Sequence, residues 1–536
     1  MPEKSETTRR LKLALVIDPG PLCPAAAEFI AWCREQPALD VRCLLICKPP
    51  DHRKPGRLRC LAVNLLLRIE DRLLRSFKPN ARPLQKITPE NSQLHCLDCS
   101  AQDNRNTLPA GFPADGIDLL VQIGGATVPE TVLQQARLGL LQTQPAISLH
   151  ASAGLPCFDE VLNRKDHTHF ALIHSANGQA QTVLGGQIRT RFFTLLNQHF
   201  LFSKLRHYLQ VQLLDVARTG CIAPGTHVQS TKSGDFPTLP TSLRYALGLV
   251  GIVGSELFKR KLLKRFNRWN VAFARASWRT LDLPAATPIG NRPGHFIADP
   301  FVIRDEGGDF CFVEDYDFDR QLGAIAAYKL GDGQADFLGE VIVEPHHLSF
   351  PFLFRYQGKL FMCPESSAAR RIAIYECEAF PLRWRLCHLA MEGVCAADSM
   401  FFEHEGRWWL FTNIDPSNEE DCNSELMIYH ADSPFAAHWT PHAQNPIYID
   451  SAKARNGGLL TDGDQRYRVS QRQGFNAYGE GHAIHRIVTL TPDVYEEETT
   501  RTVSAADYPG VEGTHHCHAD GELCVFDFRR SEAVDR

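Results

Sequence analysis

The second half of the chain repeats one short pattern at intervals of about 50 residues. Each unit reads as a strand, a tight turn and a second strand rich in aromatic residues. Five units fit the pattern, and they begin at Asp299, Phe350, Asp398, Asn456 and Gly513. A repeat of this length is typical of a β-propeller, in which each unit supplies one blade. The sequence therefore predicts an all-β five-bladed propeller over residues 266–530, with a strand from 268–278 closing the ring.

Equivalent positions in the five units should form rings around the propeller axis, because the innermost strands surround it. The first ring holds the residues that begin the units, and the second holds Glu314, Glu365, Asn413, Gln471 and Phe528. Each ring contains two carboxylates, which suit sugar hydroxyls and general acid–base chemistry. We expect a polar axial cleft that binds a sugar. The candidate catalytic residues are Asp299, Glu365 and Asp398.

Other polar side chains near the rings are candidates for substrate binding. Arg455 has the fork shape that pairs with a phosphate or a carboxylate. The predicted set is Glu314, His347, Asn413, Arg455, Gln471 and Tyr478. The alternative is structural: an Asp at a turn often caps it, and a single His is often a hydrogen-bonded structural residue. In the run HHCH (515–518), strand alternation would place only His516 and His518 on one face, and no metal site is predicted.

Several motifs of this region resemble the five-bladed propellers of the glycoside hydrolase 43-like superfamily. They include ADPFVI (298–303), EPHHLSFPFLF (344–354) and MCPESS (362–367). Within the superfamily, the region looks most like the N-terminal domain of plant glucosamine inositolphosphorylceramide transferases.

The resemblance implies three cooperating acids in the hydrolases of the superfamily: a base on the first blade, an Asp on the second and a proton-donating Glu on the third. Asp299 matches the first position, but Phe350 stands at the second and Asp398 at the third. Glu365 is a candidate for the acid role from a different strand. This departure argues against simple glycoside hydrolysis.

Residues 1–215 alternate between apolar strands and helical segments. LKLALVID and LDVRCLLICKPP read as buried strands, and AAAEFIAWCREQ between them reads as a helix. This alternation predicts an α/β, Rossmann-like domain with a largely parallel sheet. The chain as a whole is therefore expected to be multidomain, with this α/β domain followed by the propeller.

The order of elements over 118–188 resembles the formyltransferase family, which includes methionyl-tRNA and sugar N-formyltransferases. The resemblance is carried by a segment that ends in QTQP and by two later segments, LNRKDHTHFALIH and LGGQI. It implies a formyltransferase-like fold whose centre uses an Asn-x-His pair and an Asp. Gln142, Gln144 and Leu184 stand at those positions, and a Gln cannot act as the base. We therefore predict a degenerate formyltransferase centre, with formyl-tetrahydrofolate as a cofactor only if the domain is active and no other cofactor expected.

Residues 216–265 are predicted to link the two domains. An apolar stretch is followed there by a basic one, so the segment 243–268 suits a helix lying on an anionic membrane surface. The alternative is a helix packed between the domains. The apolar stretch is too short and too rich in glycine to span a membrane.

The net charge, the cysteines and the N-terminal sequence narrow the range of possible functions and locations. The net charge of -5 gives no reason to expect a nucleic-acid partner. The lack of a signal peptide and the scattered cysteines predict a cytoplasmic protein, peripheral at the inner face of the membrane if the linker helix binds there. The main hypothesis is a carbohydrate-active transferase of cell-surface glycan or glycolipid biosynthesis, acting on a sugar, nucleotide sugar or lipid-linked sugar. The alternatives are an amino-sugar N-formyltransferase and a non-catalytic glycan-binding or scaffold protein.

Overall fold

The computed structural model describes most of the 536-residue chain. The described residues are 10–47, 56–77, 84–87, 96–99, 108–147, 154–223, 225, 236–261, 265–280, 283–305 and 307–533. They form two compact units, 1–251 and 252–536.

The first unit is built on a mixed seven-stranded sheet with flanking helices. Its elements are β1 (Leu11–Ile17), α1 (Pro24–Glu35), β2 (Leu39–Ile46), α2 (Arg57–Phe77), β3 (Cys96–Asp98), β4 (Leu119–Gln122), α3 (Glu130–Leu133), β5 (Leu140–Gln144), α4 (Phe158–Leu162), β6 (His167–Ala176), β7 (Gln179–Arg189) and α5 (Thr194–Thr219). Helix α6 (Leu239–Lys261) follows them and extends past the last residue of this unit. The strand order is β3-β2-β1-β4-β5-β6-β7. The first five strands run parallel, and β6 and β7 are antiparallel to their neighbours. The formyltransferase-like assignment of this unit stays a prediction.

Two buried contacts attach helices α2, α5 and α6 to one another. Apolar residues of α2 pack against Leu195 at the start of α5. The hydroxyl of Tyr245 on α6 donates to the carboxylate of Glu70 on α2, and it also contacts Thr194. Burial raises the pKa of Glu70 to about 7. Among the described residues, no helix is both long and apolar enough to cross a membrane.

The second unit is a five-bladed β-propeller, as predicted. Its strands are β8 (Arg265–Arg275), β9 (Thr287–Ile289), β10 (His295–Asp305), β11 (Gly308–Asp317), β12 (Leu322–Leu330), β13 (Ala335–Ile342), β14 (Ser349–Tyr356), β15 (Lys359–Glu365), β16 (Arg371–Ala379), β17 (Arg383–Glu392), β18 (Ala396–His404), β19 (Arg407–Ile414), β20 (Glu425–Ala431), β21 (Thr440–Pro441), β22 (Tyr448–Ile449), β23 (Asn456–Asp462), β24 (Gln465–Gly474), β25 (Ala477–Leu490), β26 (Tyr495–Ser504), β27 (Cys517–Asp520) and β28 (Leu523–Ala533). The first four blades are β10–β13, β14–β17, β18–β21 with β22 alongside, and β23–β26.

The fifth blade closes the ring by joining both ends of the propeller segment. Its strand order is β27-β28-β8-β9, and β8 pairs with β28 along its whole length. The prediction that a strand from 268–278 closes the ring is therefore confirmed. Closure pairs the first and last strands of the unit with each other and leaves neither as an open edge.

A β-bulge recurs where each of the first three blades begins its inner hairpin. Asp299, Phe350 and Asp398 have positive φ angles of 49°, 46° and 47°, and the pairing register shifts at each of them. A positive φ is uncommon for residues other than glycine and is found at functional sites. The bulge therefore gives the first ring position the same special backbone in three blades, whatever side chain it carries.

The fifth blade corrects the predicted first ring. Gly513 bridges to Arg529, and Cys517 pairs with Phe526. In the first blade Ala298 pairs with Glu314 and Val302 with Cys311, so by this register Gly513 is equivalent to Ala298 and Thr514 to Asp299. The two hairpins have the same length, and the position predicted for the ring lies one residue too early in the fifth. Phe528, which the prediction placed in the second ring, is buried in a hydrophobic cluster.

A buried ion pair holds the fourth blade together. Arg468 on β24 donates through Nε and Nη2 to both carboxylate oxygens of Glu497 on β26, at 2.8 and 2.7 Å. Nη2 also donates to the carbonyl of Lys453, and Nη1 donates to that of Ala454. The pair therefore fixes the segment that leads into Arg455.

We expect Glu497→Gln to destabilise the propeller by about 3–5 kcal/mol, because it leaves Arg468 buried without its counter-charge. Burial by itself would raise the pKa of Glu497, but Arg468 outweighs it and lowers that pKa to about 2. The stabilisation should thus be complete above the ordinary glutamate pKa of about 4.3 and shrink as the pH falls towards 2. Urea unfolding at several pH values measures both effects.

Glu498→Gln is the matched control. Glu498 is the next residue on β26, is exposed and pairs with Arg486 at the surface. Its loss should cost no more than about 1 kcal/mol. Equal effects of the two variants, or a difference that does not change with pH, would contradict the assignment.

Candidate active site at the propeller axis

Arg455 joins acidic residues from two other blades. Its Nε donates to Oδ2 of Asp398 at 2.7 Å, and its Nη2 lies 3.3 Å from the second oxygen of the same carboxylate. The same Nη2 donates to Oε2 of Glu365 at 3.2 Å, and Nη1 donates to Asn423. Glu365 comes from the second blade, Asp398 from the third, and Arg455 precedes the fourth. The structure thus brings together two of the predicted catalytic residues and one predicted ligand-binding residue.

Buried partners fix the orientation of this cluster. Gln471 donates to Oδ2 of Asp398 at 2.9 Å, and Asn456 donates to the backbone carbonyl of Asp398. Ser367 donates to Oε1 of Glu365 at 2.8 Å. The side chain of Asp398 is 1% exposed and that of Glu365 is 11% exposed. Glu365 is therefore the carboxylate of this cluster that a ligand can reach, and Gln471 acts on a ligand only through Asp398.

The charges of the cluster depend on one another. Burial alone would lower the pKa of Arg455, but Asp398 and Glu365 outweigh it and raise that pKa above its ordinary value. Burial raises the pKa of Asp398, and the contact with the guanidinium opposes that rise. Arg455 therefore stays charged and supplies the positive charge that two carboxylates share.

A second cluster places His515 between two carboxylates. Its Nε2 lies 3.2 Å from Oδ1 of Asp299, and its Nδ1 lies 2.8 Å from Oδ2 of Asp527. Asp527 also accepts hydrogen bonds from the backbone N–H groups of His515 and His516. Burial alone would lower the pKa of His515, but the two carboxylates raise it to about 10. The imidazole is therefore protonated at neutral pH.

These three residues could also hold a metal ion. Asp299, His515 and Asp527 each offer one ligand atom, and the three atoms lie within 4.8 Å of one another. A cation there would have to replace the proton on His515, because a metal ligand must be a neutral imidazole. The alternation predicted for this strand is confirmed: His516 and His518 both lie against Phe301, with ring centroids 4.6 and 4.9 Å away.

Glu314 and His347 form a third group. Nε2 of His347 lies 3.2 Å from Oε1 of Glu314, and Nδ1 accepts the backbone N–H of Gly323. Burial raises the pKa of Glu314 above its ordinary range. Burial would lower the pKa of His347, but the hydrogen bond with Glu314 outweighs it and raises that pKa. The pair can share a proton, as a general acid or base requires.

Aromatic rings connect the Arg455 and His515 clusters. The guanidinium of Arg455 lies 5.2 Å from the ring centre of Tyr478, which is itself 5.2 Å from that of His515. Trp269 packs on His515 at 4.2 Å. The predicted residues Asp299, Glu365, Asp398, Arg455 and Tyr478 thus belong to one continuous set of contacts.

Asn413 does not fit the substrate-contact role predicted for it. Its amide nitrogen donates to the carbonyls of Glu425 and Ala454, and its oxygen accepts the N–H of Asn456. The side chain is fully buried and has no group left for a ligand. Asn413 instead connects the third blade to the segment that carries Arg455.

The predicted formyltransferase centre lies on neighbouring strands of the first unit. Gln142 and Gln144 are on β5, Thr143 between them pairs with Leu172 on β6, and Leu172 pairs with Leu184 on β7. Oε1 of Gln144 is buried with no hydrogen-bond partner among the described residues. The three side chains supply no base, and the loss of formyl transfer stays a prediction. His150, a nearby candidate for the missing base, lies outside the described residues.

Sequence reasoning missed His515, Asp527 and Trp269. His515 and Asp527 lie beside the ring positions of the fifth blade and not at them. Trp269 lies on β8, which the sequence places far from the hairpin it joins. These residues could be found only from the strand pairing of the fifth blade, which the sequence does not show.

We expect the imidazole of His515 to remain protonated well above neutral pH. The stabilisation from its charge should be complete below the ordinary histidine pKa of about 6.5 and be lost as the pH rises through about 10. Asp527→Asn should lower the pKa of His515 by roughly 1 unit or more, because one flanking charge is removed. NMR titration of 13C-labelled histidines measures it.

Asp520→Asn, on the same hairpin, serves as the control and should leave that titration unchanged. If Asp527→Asn does not fold, Asp299→Asn carries the same test. A His515 that is neutral at pH 7, or that titrates alike with and without these carboxylates, would show that the ion pairs do not set its charge.

Comparisons with known proteins agree with the propeller prediction. Residues 260–514 match the family model described as "Glucosamine inositolphosphorylceramide transferase 1, N-terminal". The protein of that name from Oryza sativa subsp. japonica is 34% identical over 221 residues, which are 40% of this chain and 29% of the rice protein. The one from Arabidopsis thaliana is 36% identical over 211 residues, or 38% and 27%. The chain thus spans less than a third of the length of these relatives.

Solved glycoside hydrolases are also matched, at low sequence identity. A family 117 enzyme of Zobellia galactanivorans is 12% identical with a TM-score of 0.33, covering 51% of this chain and 93% of that one. A native Bacillus subtilis arabinanase is 12% identical with a TM-score of 0.32, covering 44% and 94%. The predicted resemblance to the N-terminal domain of the plant transferases is confirmed over residues 260–514.

Proposed function

We propose that this chain is a sugar transferase of glycan or glycolipid synthesis, whose propeller binds the sugar at the axis. The observation that carries the proposal is the position of Glu365 and Arg455. Both are partly accessible; Ser367 orients Glu365, and the buried Asp398 orients Arg455. Tyr478 beside them offers an aromatic ring against which a sugar could pack. Preorganised groups of this kind are what a polar ligand requires.

The excess of carboxylates favours a sugar with a free amino group. The axial contacts include two arginines, Arg455 and Arg529, and the protonated His515. Five acidic side chains surround them: Asp299, Glu314, Glu365, Asp398 and Asp527. A cationic amine would complement this charge, whereas its acetylated form would not. The plant relatives are named for glucosamine, which carries such an amine.

The catalytic candidates receive different roles in this proposal. Glu365 contacts the sugar and takes the proton of the acceptor hydroxyl as the new glycosidic bond forms. The bond between the anomeric carbon of the sugar and the phosphate oxygen of a nucleotide-sugar donor breaks, and the nucleotide phosphate leaves with the electron pair. Asp398 acts through Arg455, since it is almost fully buried. Asp299 with His515, and Glu314 with His347, contribute proton-sharing groups on the other side of the site.

The proposed acceptor is a lipid-linked group at a membrane surface. The relatives are named for inositolphosphorylceramide, a lipid. On α6, Leu239, Leu243, Leu247 and Val250 are exposed large apolar residues. This fits the membrane contact predicted for 243–268, although residues 262–264 and the side chains of 256–261 lie outside the described part of the chain.

A glycan-binding protein without turnover is the second candidate. Phe350 occupies the ring position at which the resembling hydrolases carry an Asp, and it packs against Phe301 and His516. Asp299 and Asp398 are both engaged by cationic partners. Carboxylates held in this way bind and orient a ligand more readily than they exchange protons.

Titration calorimetry with glucosamine and N-acetylglucosamine tests the binding site. We expect the free amine to bind more tightly, and Glu365→Gln to weaken its binding by about tenfold to a hundredfold, because a charge-assisted hydrogen bond is lost. Glu403→Gln is the matched control, since Glu403 is exposed on β18, the strand that carries Asp398.

Equal binding of the two sugars, or no effect of Glu365→Gln, would contradict the proposed site. Mass spectrometry after incubation with a nucleotide-sugar donor and an inositol phospholipid then separates the two candidates. A glycosylated lipid that is absent with Glu365→Gln supports the transferase. Binding without any product supports the glycan-binding protein.

A further inference from the structure

Helix α2 presents an apolar face that nothing in the described structure covers. Leu61 and Leu65 are 69% and 62% exposed, and the other large apolar residues of this face are Leu58, Ile69 and Leu73. The opposite face packs into the unit through Val63, Leu67 and Leu74. At 3.6 residues per turn the two faces are opposite sides of one helix. The exposed leucines are therefore not an extension of the core.

The charged residues of α2 that are exposed to solvent are all positive. Arg57, Arg68, Arg72 and Arg75 are exposed. The two acidic residues of α2, Glu70 and Asp71, are both buried, and Asp71 pairs with Arg75. The outer surface of α2 thus combines a stripe of leucine and isoleucine with arginines, and it carries no exposed acid.

This combination identifies an anionic membrane surface as the partner. Exposed apolar residues in a continuous row mark an interaction site. An apolar stripe bordered by arginines is typical of a helix that lies in the headgroup layer, where the apolar side chains enter the acyl boundary and the cations meet lipid phosphates. A second copy of the chain would instead place the arginines of one α2 opposite those of the other.

We propose that the exposed face of α2 binds the headgroup layer of an anionic membrane. The inference stands without the proposed sugar site, because it depends on residues 57–75 alone. It is also separate from the contact proposed for α6. Sequence reasoning gave no indication of it, since leucines occur on both the buried and the exposed side of this helix.

Vesicle co-sedimentation of the full chain tests the proposal. The probes are vesicles of phosphatidylcholine alone and of phosphatidylcholine mixed with phosphatidylglycerol. We expect binding to the anionic vesicles that weakens with salt. Leu61→Ser with Leu65→Ser, and separately Arg68→Glu with Arg72→Glu, should each reduce it by about tenfold or more, because apolar insertion and phosphate contacts contribute together.

Two further variants isolate the surface. Leu382→Ser with Val488→Ser changes two similarly exposed apolar residues of the propeller and should leave binding intact. Leu243→Ser with Leu247→Ser reports on α6, so that failure of the proposed α6 contact is distinguishable from failure of this one. Circular dichroism checks that each variant keeps its fold.

The proposal is overturned if the wild-type chain does not bind anionic vesicles, or if both α2 variants bind them as tightly as the wild type does. It is also overturned if light scattering shows a dimer that the Leu61 and Leu65 changes convert to a monomer without any loss of vesicle binding. Selective loss with the α2 variants and not with the propeller control supports it.

Discussion

The guanidinium of Arg455 is the contact on which the axial site depends. Asp398 is almost completely buried, and a buried carboxylate is costly unless a cation and further hydrogen bonds accompany it. Arg455 supplies that cation and also contacts Glu365, so its one planar group reaches carboxylates from two blades. Arg455 therefore links the second, third and fourth blades at the axis, together with Asn413 and the hydrophobic cluster that these blades share.

Buried residues that contact the segment preceding Arg455 hold its backbone in place. Asn413 and Arg468 both donate to the carbonyl of Ala454, which immediately precedes it, and Arg468 is in turn paired with Glu497. These groups are buried and touch no ligand. They fix the backbone from which Arg455 extends, so that the ligand-facing atoms of the site are set by packing and not by the ligand. A ligand at the proposed site would meet groups that already have their final orientation.

The sequence predicted the propeller because strand–turn–strand units with an aromatic strand recur along the chain. Such local patterns can be recognised even when the pairing register of the strands is unknown. It also placed Asp299, Glu365 and Asp398 near the axis. It could not show that Asp398 is paired with Arg455 or that His515 lies between Asp299 and Asp527, because these contacts join different blades. The register of the fifth hairpin could not be predicted either; it moves the first ring position from Gly513 to Thr514 and leaves His515 next to it.

A crystal structure of the chain with bound glucosamine tests most directly whether the axis is a sugar site. The account predicts density for the sugar within hydrogen-bond distance of the Glu365 carboxylate and in contact with the ring of Tyr478, with Asp398 and Arg455 still paired. A sugar bound elsewhere on the chain, or an axis that stays empty at saturating concentration, would contradict it.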